Sequence, residues 1–417
     1  MSNLRPLFRN MPRTNIYLST TSTSKYKIRL NSTKFIPIRN LTITASSLHS
    51  TSFSNSTNPV STPINIQQEY ISISFYKFVN LPQLKLSQLR TQLLKDLVQL
   101  QVSGRIYIAT EGINAQFSCP KKRLKEIENY FKSGIKMGDK NLFGEDVTFN
   151  ISTLNEKGFS KLHVRVKKQI VATDISPEEY NIEDQPTYLD AEKWHKELTE
   201  ISEKKDKFYL FDVRNRYESD IGHFEGAILH DVVTFREGMD KLIEDTQGLQ
   251  KKPIYMYCTG GIRCSKAGSI LKSKGFKDVR MLKGGITAYG NYIRQLKEKI
   301  EEELVSDKED KKQVKSLFRG QNFTFDKRRG EPISEEIISK CHQCGTPTSN
   351  YTNCINIVCN LLFLQCDACK IKHKGTCGCE SCKEPILTRE DNIERKSAVH
   401  HHTIRVRPEL VIGKIVP

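Results

Sequence analysis

The run Pro253–Ala267 constrains the fold more than any other stretch. An apolar segment (PIYMY) stops at Cys258-Thr259-Gly260-Gly261-Ile262-Arg263-Cys264, and a helical pattern starts directly after it. A short apolar strand without alternation is buried on both faces, which predicts a parallel sheet covered by helices. Residues 208–213 and 279–282 read as strands of the same kind, with helices between them, so an open α/β unit is expected over 188–304. Ligands of such sheets bind beyond the carboxyl ends of the strands, and Cys258 stands at that position.

Several features there favour a thiolate. The following helix offers unpaired N–H groups and a positive dipole end, Arg263 adds a fixed charge, and Gly260 and Gly261 let the loop curl so that successive amides of Thr259 to Ile262 point inward. The same ring of donors would hold a persulfide or another anionic group on Cys258. Cys264 starts the helix, either as a resolving thiol or simply as packing.

Ahead of this unit, residues 69–175 alternate strand and helix patterns. Residues 70–80 (YISISFYKFVN) alternate as a half-buried strand does, and 84–100 repeats Leu at helical spacing. Strands are expected at 104–110, 113–118, 147–151 and 162–171, with a second helix at 121–131. The βαββαβ order predicts a ferredoxin-like (acylphosphatase-like) α+β sandwich.

Three segments of the second unit, Asp212-Val-Arg214-Asn-Arg-Tyr217-Glu218, Ile221-Gly-His223-Phe-Glu-Gly226-Ala227 and Leu282-Lys-Gly284-Gly285-Ile, resemble with the Cys258 loop a rhodanese domain. The wording CTGGIRC, together with GRIYIATEGINAQFS, KLHVRVKKQIVA and CHQCGTPTSNYTNC, resembles the tRNA uridine hydroxylases that carry a central rhodanese domain. The resemblance implies that Cys258 forms the persulfide, that Asp212 and Arg214 flank the active-site mouth, and that Glu111 and Asn114 of the EGIN turn lie near substrate. From the residues themselves, Arg214 either holds an anionic substrate group or pairs with Glu218 as scaffold. His223 is read as structural, because loop amides activate a nucleophile of this kind.

The chain carries 65 Lys or Arg against 48 Asp or Glu, a formal charge of +17, which suits an RNA partner. Arg105, Lys161, Arg165, Lys167 and Lys168 fall in or beside strand-like segments of the first unit, and alternate residues Lys161, His163, Arg165 and Lys167 share one face as a basic stripe. A solvated outer face would give the same pattern. The resemblance implies an anticodon loop as the target, whose bases are read by stacking and edge hydrogen bonds.

Nine of the twelve cysteines, Cys341, Cys344, Cys354, Cys359, Cys366, Cys369, Cys377, Cys379 and Cys382, crowd into residues 316–390. Their short-spaced pairs fit tetrahedral thiolate coordination, with structural zinc as the default ion; iron–sulfur and redox disulfide chemistry are the alternatives. Pairing 341/344 with 366/369 makes a first site. A segment so poor in large aliphatics folds on burial alone only with difficulty, and ligand crosslinks would supply the rest.

Half of the net charge sits in residues 1–68, which hold eight Lys or Arg, 22 Ser or Thr and no acid, leaving 57 basic against 48 acidic residues elsewhere. Arg-rich, Ser-rich and acid-free describes a mitochondrial presequence; the alternative is an unfolded tail on a cytoplasmic protein. Residues 391–417 form a basic tail with His400, His401 and His402. No apolar run is long enough to cross a membrane.

Three functions follow. The resemblance implies 5-hydroxylation of the wobble uridine of tRNA with molecular oxygen as co-substrate. The residues alone support sulfur transfer through Cys258, with a sulfur donor or reductant as partner. The third is a zinc-stabilised RNA-binding scaffold with an inactive loop.

Overall fold

The computed structural model describes residues 17–20, 26–29, 68–137, 140–204, 208–304 and 315–382. Of the leader, only a short antiparallel pair, Tyr17–Thr20 with Tyr26–Arg29, is described. The rest of the leader and the basic tail from 391 lie outside the described residues, as do the presequence reading and the three consecutive histidines.

The first unit of the remaining chain is built on five strands: β1 (Tyr70–Phe78), β2 (Ser103–Ala109), β3 (Gly112–Pro120), β4 (Asn150–Leu154) and β5 (Leu162–Val166). Helices α1 (Leu86–Gln99) and α2 (Leu124–Asn129) complete it. The sheet order β4-β1-β3-β2 is the expected sandwich, and β5 adds a fifth strand parallel to β2 at the edge. Alternation along β1 sends Ile71, Ile73 and Phe75 to the helices, where they meet Leu86, Leu89, Leu93 and Leu97, spaced along one face of α1. The opposite face of β1 carries Ser72, Ser74 and Tyr76, and it is covered by the next unit rather than by water: Tyr76 Oη lies 2.8 Å from Ser265 Oγ, and Ser72 Oγ donates to Asp326 at 3.2 Å.

Two expected strands are displaced. The strand expected at 147–151 starts three residues later, because pairing to β1 begins with Asn150 opposite Ser74; Val147 is core without being strand. The strand expected at 162–171 stops at Val166, since its partner β2 ends at Ala109 and Lys167 N–H makes the last bond, to Ile108 O.

The second unit is a parallel sheet of β6 (Thr187–Leu189), β7 (Tyr209–Asp212), β9 (Ile228–Leu229), β10 (Ile254–Tyr257) and β11 (Val279–Leu282), in the order β6-β11-β10-β7-β9. Every residue of β10 is buried, as its unbroken apolar run requires. Around it lie α3 (Ala191–Lys204), the short α4 (Arg216–Ser219), α5 (Phe235–Asp245), α6 (Ile262–Ser273) and α7 (Gly285–Leu304). Strand β8 (Gly222–Phe224) leaves this unit to pair with β12 (Phe318–Asn322), which pairs with β13 (Glu331–Pro332). A small third sheet thus ties the cysteine-rich segment, with its hairpin β14 (Tyr351–Asn353) and β15 (Leu362–Leu364), to the parallel sheet.

Candidate active site at the Cys258 loop

The loop between β10 and α6 is held open by its neighbours. The N–H groups of Ile286 and Thr287, in the first turn of α7, donate to the carbonyls of Cys258 and Thr259 at 3.0 and 3.2 Å, and Thr287 Oγ1 donates to Thr259 O at 3.1 Å. With two carbonyls drawn outward, the loop amides turn inward, and Gly261 N–H donates to Cys258 Sγ at 3.0 Å. Gly261 has a φ of 100°, which favours glycine. A Cβ on Gly285 would fall 2.4 Å from Cys258 O, so only glycine lets α7 approach this closely.

Cys258 is fully buried, and burial by itself opposes ionisation. Against it act the Cys264 thiol, which donates to Cys258, the Arg263 guanidinium, and the amides of Cys264 and Gly261; together they bring the Cys258 thiol down to about 5. Cys264 moves the opposite way, pushed well up first by burial and then by its hydrogen bond to Cys258. The two sulfurs therefore form one thiolate–thiol pair. Arg263 is itself fixed from below: its guanidinium donates to both carboxylate oxygens of Glu218 at 2.6 and 2.7 Å, and Thr259 Oγ1 donates to the same carboxylate at 3.0 Å. Ile262 opens α6 beside it.

Asp212 and Arg214 do not flank a mouth. They form a buried pair, Arg214 Nη2 to Asp212 Oδ2 at 2.6 Å, with side chains 1% and 0% exposed. Arg214 also donates to the backbone oxygen of Glu218 at 3.3 Å, so its carboxylate partner is Asp212 and not Glu218. A guanidinium with those bonds and no exposed surface supports the loop from behind. His223 Nδ1 lies 3.0 Å from Ser219 O, within its turn.

The outer face of the loop meets the first unit across a cleft of about 950 Å³. Gly260 and Gly284 form its wall on the loop side; Tyr76, Phe78 and Asn150 come from the first sheet, and Tyr188 from β6. The hydroxyls of Tyr76 and Tyr188 converge on Ser265 Oγ at 2.8 and 3.0 Å, one residue after Cys264. Of the residues singled out for RNA, Glu111 and Lys168 line this cleft. Glu111 is also committed structurally: its carboxylate accepts from Ile170 N at 2.6 Å and from the buried Lys266 Nζ at 3.0 and 3.2 Å. Asn114 donates to Ile170 O at 3.1 Å. Arg105 and Lys167 lie over the rings of Phe159 and Tyr107, and Lys161 and Arg165 are exposed on the β5 edge; none of these four lines the cleft.

The sequence reading missed Tyr76, Asn150, Tyr188, Lys266 and Lys283. Ser265 and Lys266 were in view, adjoining Cys264 on the helix, but nothing local links Tyr76, Asn150 and Tyr188 to a loop more than sixty residues away.

Farther along, eight cysteines form two groups, Cys341, Cys344, Cys366 and Cys369 in one and Cys354, Cys359, Cys377 and Cys382 in the other, with all sulfurs of a group within 4.8 Å of one another. Zn–S bonds of about 2.3 Å in a tetrahedron put sulfurs about 3.8 Å apart. The observed Cys344–Cys366, Cys354–Cys382 and Cys359–Cys377 separations of 3.6, 3.6 and 3.7 Å fit that edge. Cys379, also an expected ligand, stands outside both four-sulfur groups but against the second, in contact with Cys377 and Cys382, and its Sγ lies 3.2 Å from Ser381 Oγ.

A parallel sheet whose central strand delivers a cysteine into a curled amide loop is a rhodanese-like domain, and the rhodanese-like family model matches residues 194–292. A UPF0176 acylphosphatase like domain matches 70–170, and a rhodanase C-terminal model matches 319–383. The tRNA uridine(34) hydroxylase of Leptospira interrogans is 37% identical over 81% of this chain and 86% of its own length. Those of an Enterobacter species and of Yersinia enterocolitica are 38% and 36% identical, over 79% and 80% of this chain and 86% and 87% of theirs. The chain belongs to the tRNA uridine(34) hydroxylase family.

Proposed function

We propose that this chain hydroxylates C5 of the wobble uridine of tRNA, working in the cleft between the first sheet and the Cys258 loop. The observation that supports it most is the coincidence, in a member of this family, of a thiolate-stabilising loop with an open cleft walled by aromatic and lysine side chains. A single-stranded anticodon base fits such a site, because a loop nucleotide can be splayed out at small cost.

Replacing the C5 hydrogen by hydroxyl with molecular oxygen as co-substrate puts one oxygen atom on the base and the other into water. Two electrons must come from a reductant, and two protons are taken up. The Cys258–Cys264 pair is a two-electron donor of that class: oxidation of the thiolate and thiol to a disulfide releases two electrons and one proton, solvent supplies the second proton, and an external thiol would restore the pair. In this role Cys264 is a resolving thiol. A second reading, sulfur transfer, is favoured by the amide cradle, which suits a Cys258 persulfide equally well.

Zinc in the two four-cysteine groups would cross-link the C-terminal segment and so hold β12 against β8. Residues 1–68, basic and free of acids, support a mitochondrial address. No helix of the described residues is long and apolar enough to cross a membrane.

Mass spectrometry of tRNA nucleosides from cells with and without the gene tests the function. Loss of 5-hydroxyuridine, restored by wild type and not by Cys258→Ser, supports hydroxylation. Loss of a thiolated nucleoside instead would replace it with sulfur transfer, and an unchanged profile would leave only a scaffold. A reporter fused to residues 1–68 tests the address.

A further inference from the structure

Asn150 opens β4 directly opposite Ser74 and stands at the junction of the cleft and the Cys258 loop. Its amide spans the two glycine turns that frame that loop. A Cβ on Gly284 would lie 2.8 Å from Asn150 Oδ1, and one on Gly260 would lie 3.7 Å from Asn150 Nδ2. Among the described residues the side-chain amide has no hydrogen-bond partner, although the residue is half-buried. An amide at the wall of an open cleft, with donor and acceptor both uncommitted to protein, is free to pair with a ligand that displaces its water. Three other polar groups of the cleft are by contrast committed: Tyr76 and Tyr188 to Ser265, and Glu111 to Lys266.

We propose that Asn150 reads the imide edge of the base being modified. The inference rests on the nucleotide reading of the cleft given above. A uracil ring presents one N–H donor between two carbonyl acceptors, and a primary amide offers one acceptor and two donors, so the two can pair through two parallel hydrogen bonds. A base held in this way lies against Gly260, beside the loop that carries Cys258. The ring of Tyr188, 40% exposed on the cleft and anchored through its hydroxyl, is available as a face for it. The phosphates then fall toward the exposed ammonium groups of Lys168 and Lys283 at the rim.

The test compares binding of the full chain to anticodon stem-loop RNAs carrying uridine or N3-methyluridine at the wobble position, for wild type, Asn150→Ala and Asn150→Ser. Methylation removes the central donor of the base. Wild type is expected to bind the methylated RNA about tenfold or more weakly. Both variants should lose a similar factor for the uridine RNA and discriminate between the two RNAs by no more than about twofold, the mark of a shared interaction. Variants that bind the uridine RNA as wild type does, or that keep the full penalty for methylation, would overturn the proposal. So would a Cys258 titration that moves in both variants, because Asn150 would then be a support of the loop. Absence of 5-hydroxyuridine in the same wild-type samples would sink the wider function while the binding comparison still decides the role of Asn150.

Discussion

Lys266, on the second turn of α6, buries its whole side chain to reach Glu111 in the turn between β2 and β3, with Nζ 3.0 and 3.2 Å from the carboxylate oxygens and 2.8 Å from Val171 O. One ion pair thus fastens the first unit to the helix that begins at the Cys258 loop. Removing one member strands the other in a poorly solvated place. Lys266→Ala is expected to destabilise the protein by about 3 kcal/mol. The pair Lys266→Met with Glu111→Gln should recover much of that loss, because no isolated charge remains. Chemical denaturation of the three proteins measures both, and equal stability of Lys266→Ala and wild type would show that the pair contributes nothing.

The two cysteine groups make a counting prediction. Purified wild type should carry two zinc equivalents, Cys366→Ser and Cys377→Ser one each, and Cys379→Ser still two, since Cys379 lies in neither group. Elemental analysis of the intact proteins decides it. Chelation should loosen the segment around β14 and β15, read as faster hydrogen exchange there, because ligand bonds add to the burial of Tyr351, Leu362 and Leu364 in holding it.

Lys168 and Lys283 stand at the cleft rim from opposite units, so both would meet the phosphates of one bound strand. Changing each to Glu should weaken tRNA binding and lower the slope of log affinity against log salt by about 0.7 per lost phosphate contact. A charge reversal at Lys161, outside the lining of the cleft, should change the slope less. Titrations at several salt concentrations distinguish the two positions.

Much of this site could be read from local sequence and some could not, for a physical reason. The Cys258 loop is contiguous, and strand, glycines and helix start follow one another within a dozen residues, so pattern alone located it. The first four-cysteine group was legible for the same reason, since short-spaced pairs are local. What escaped was everything contributed by packing one unit on the other. Ser72, Ser74 and Tyr76 read as the solvent face of an amphipathic strand, and the structure instead lays that face over the loop. Alternation shows which residues avoid the first core, not what covers the other side. Arg214 is open in the sequence for a different reason: an arginine near a nucleophile suits an anion site or a scaffold equally well, and only the structure shows Asp212, two residues away, occupying its donors.

The sulfur pair gives the last prediction. Cys258 titrates at about 5 despite complete burial, whereas an ordinary thiol titrates near 9, and a large part of the difference is the hydrogen bond from Cys264. The sign is fixed by which form that bond favours: a thiol donor stabilises a neighbouring thiolate and does nothing comparable for a neighbouring thiol. Cys264→Ala should therefore raise the Cys258 midpoint, while Cys264→Ser, which keeps a donor, should raise it less. Arg263 works in the same direction through its charge, so Arg263→Ala should also raise the midpoint, at the added cost of leaving Glu218 buried without its partner. The measurement is the pH dependence of ultraviolet thiolate absorbance, taken as the difference from Cys258→Ser so that the other cysteines cancel. Activity should follow the same curve, lost as pH falls through the midpoint, because protonation removes the nucleophilic and reducing form. If Cys264→Ala leaves the midpoint where it is, the Cys264 thiol does not stabilise the Cys258 thiolate, and Arg263 and the loop amides alone hold it down.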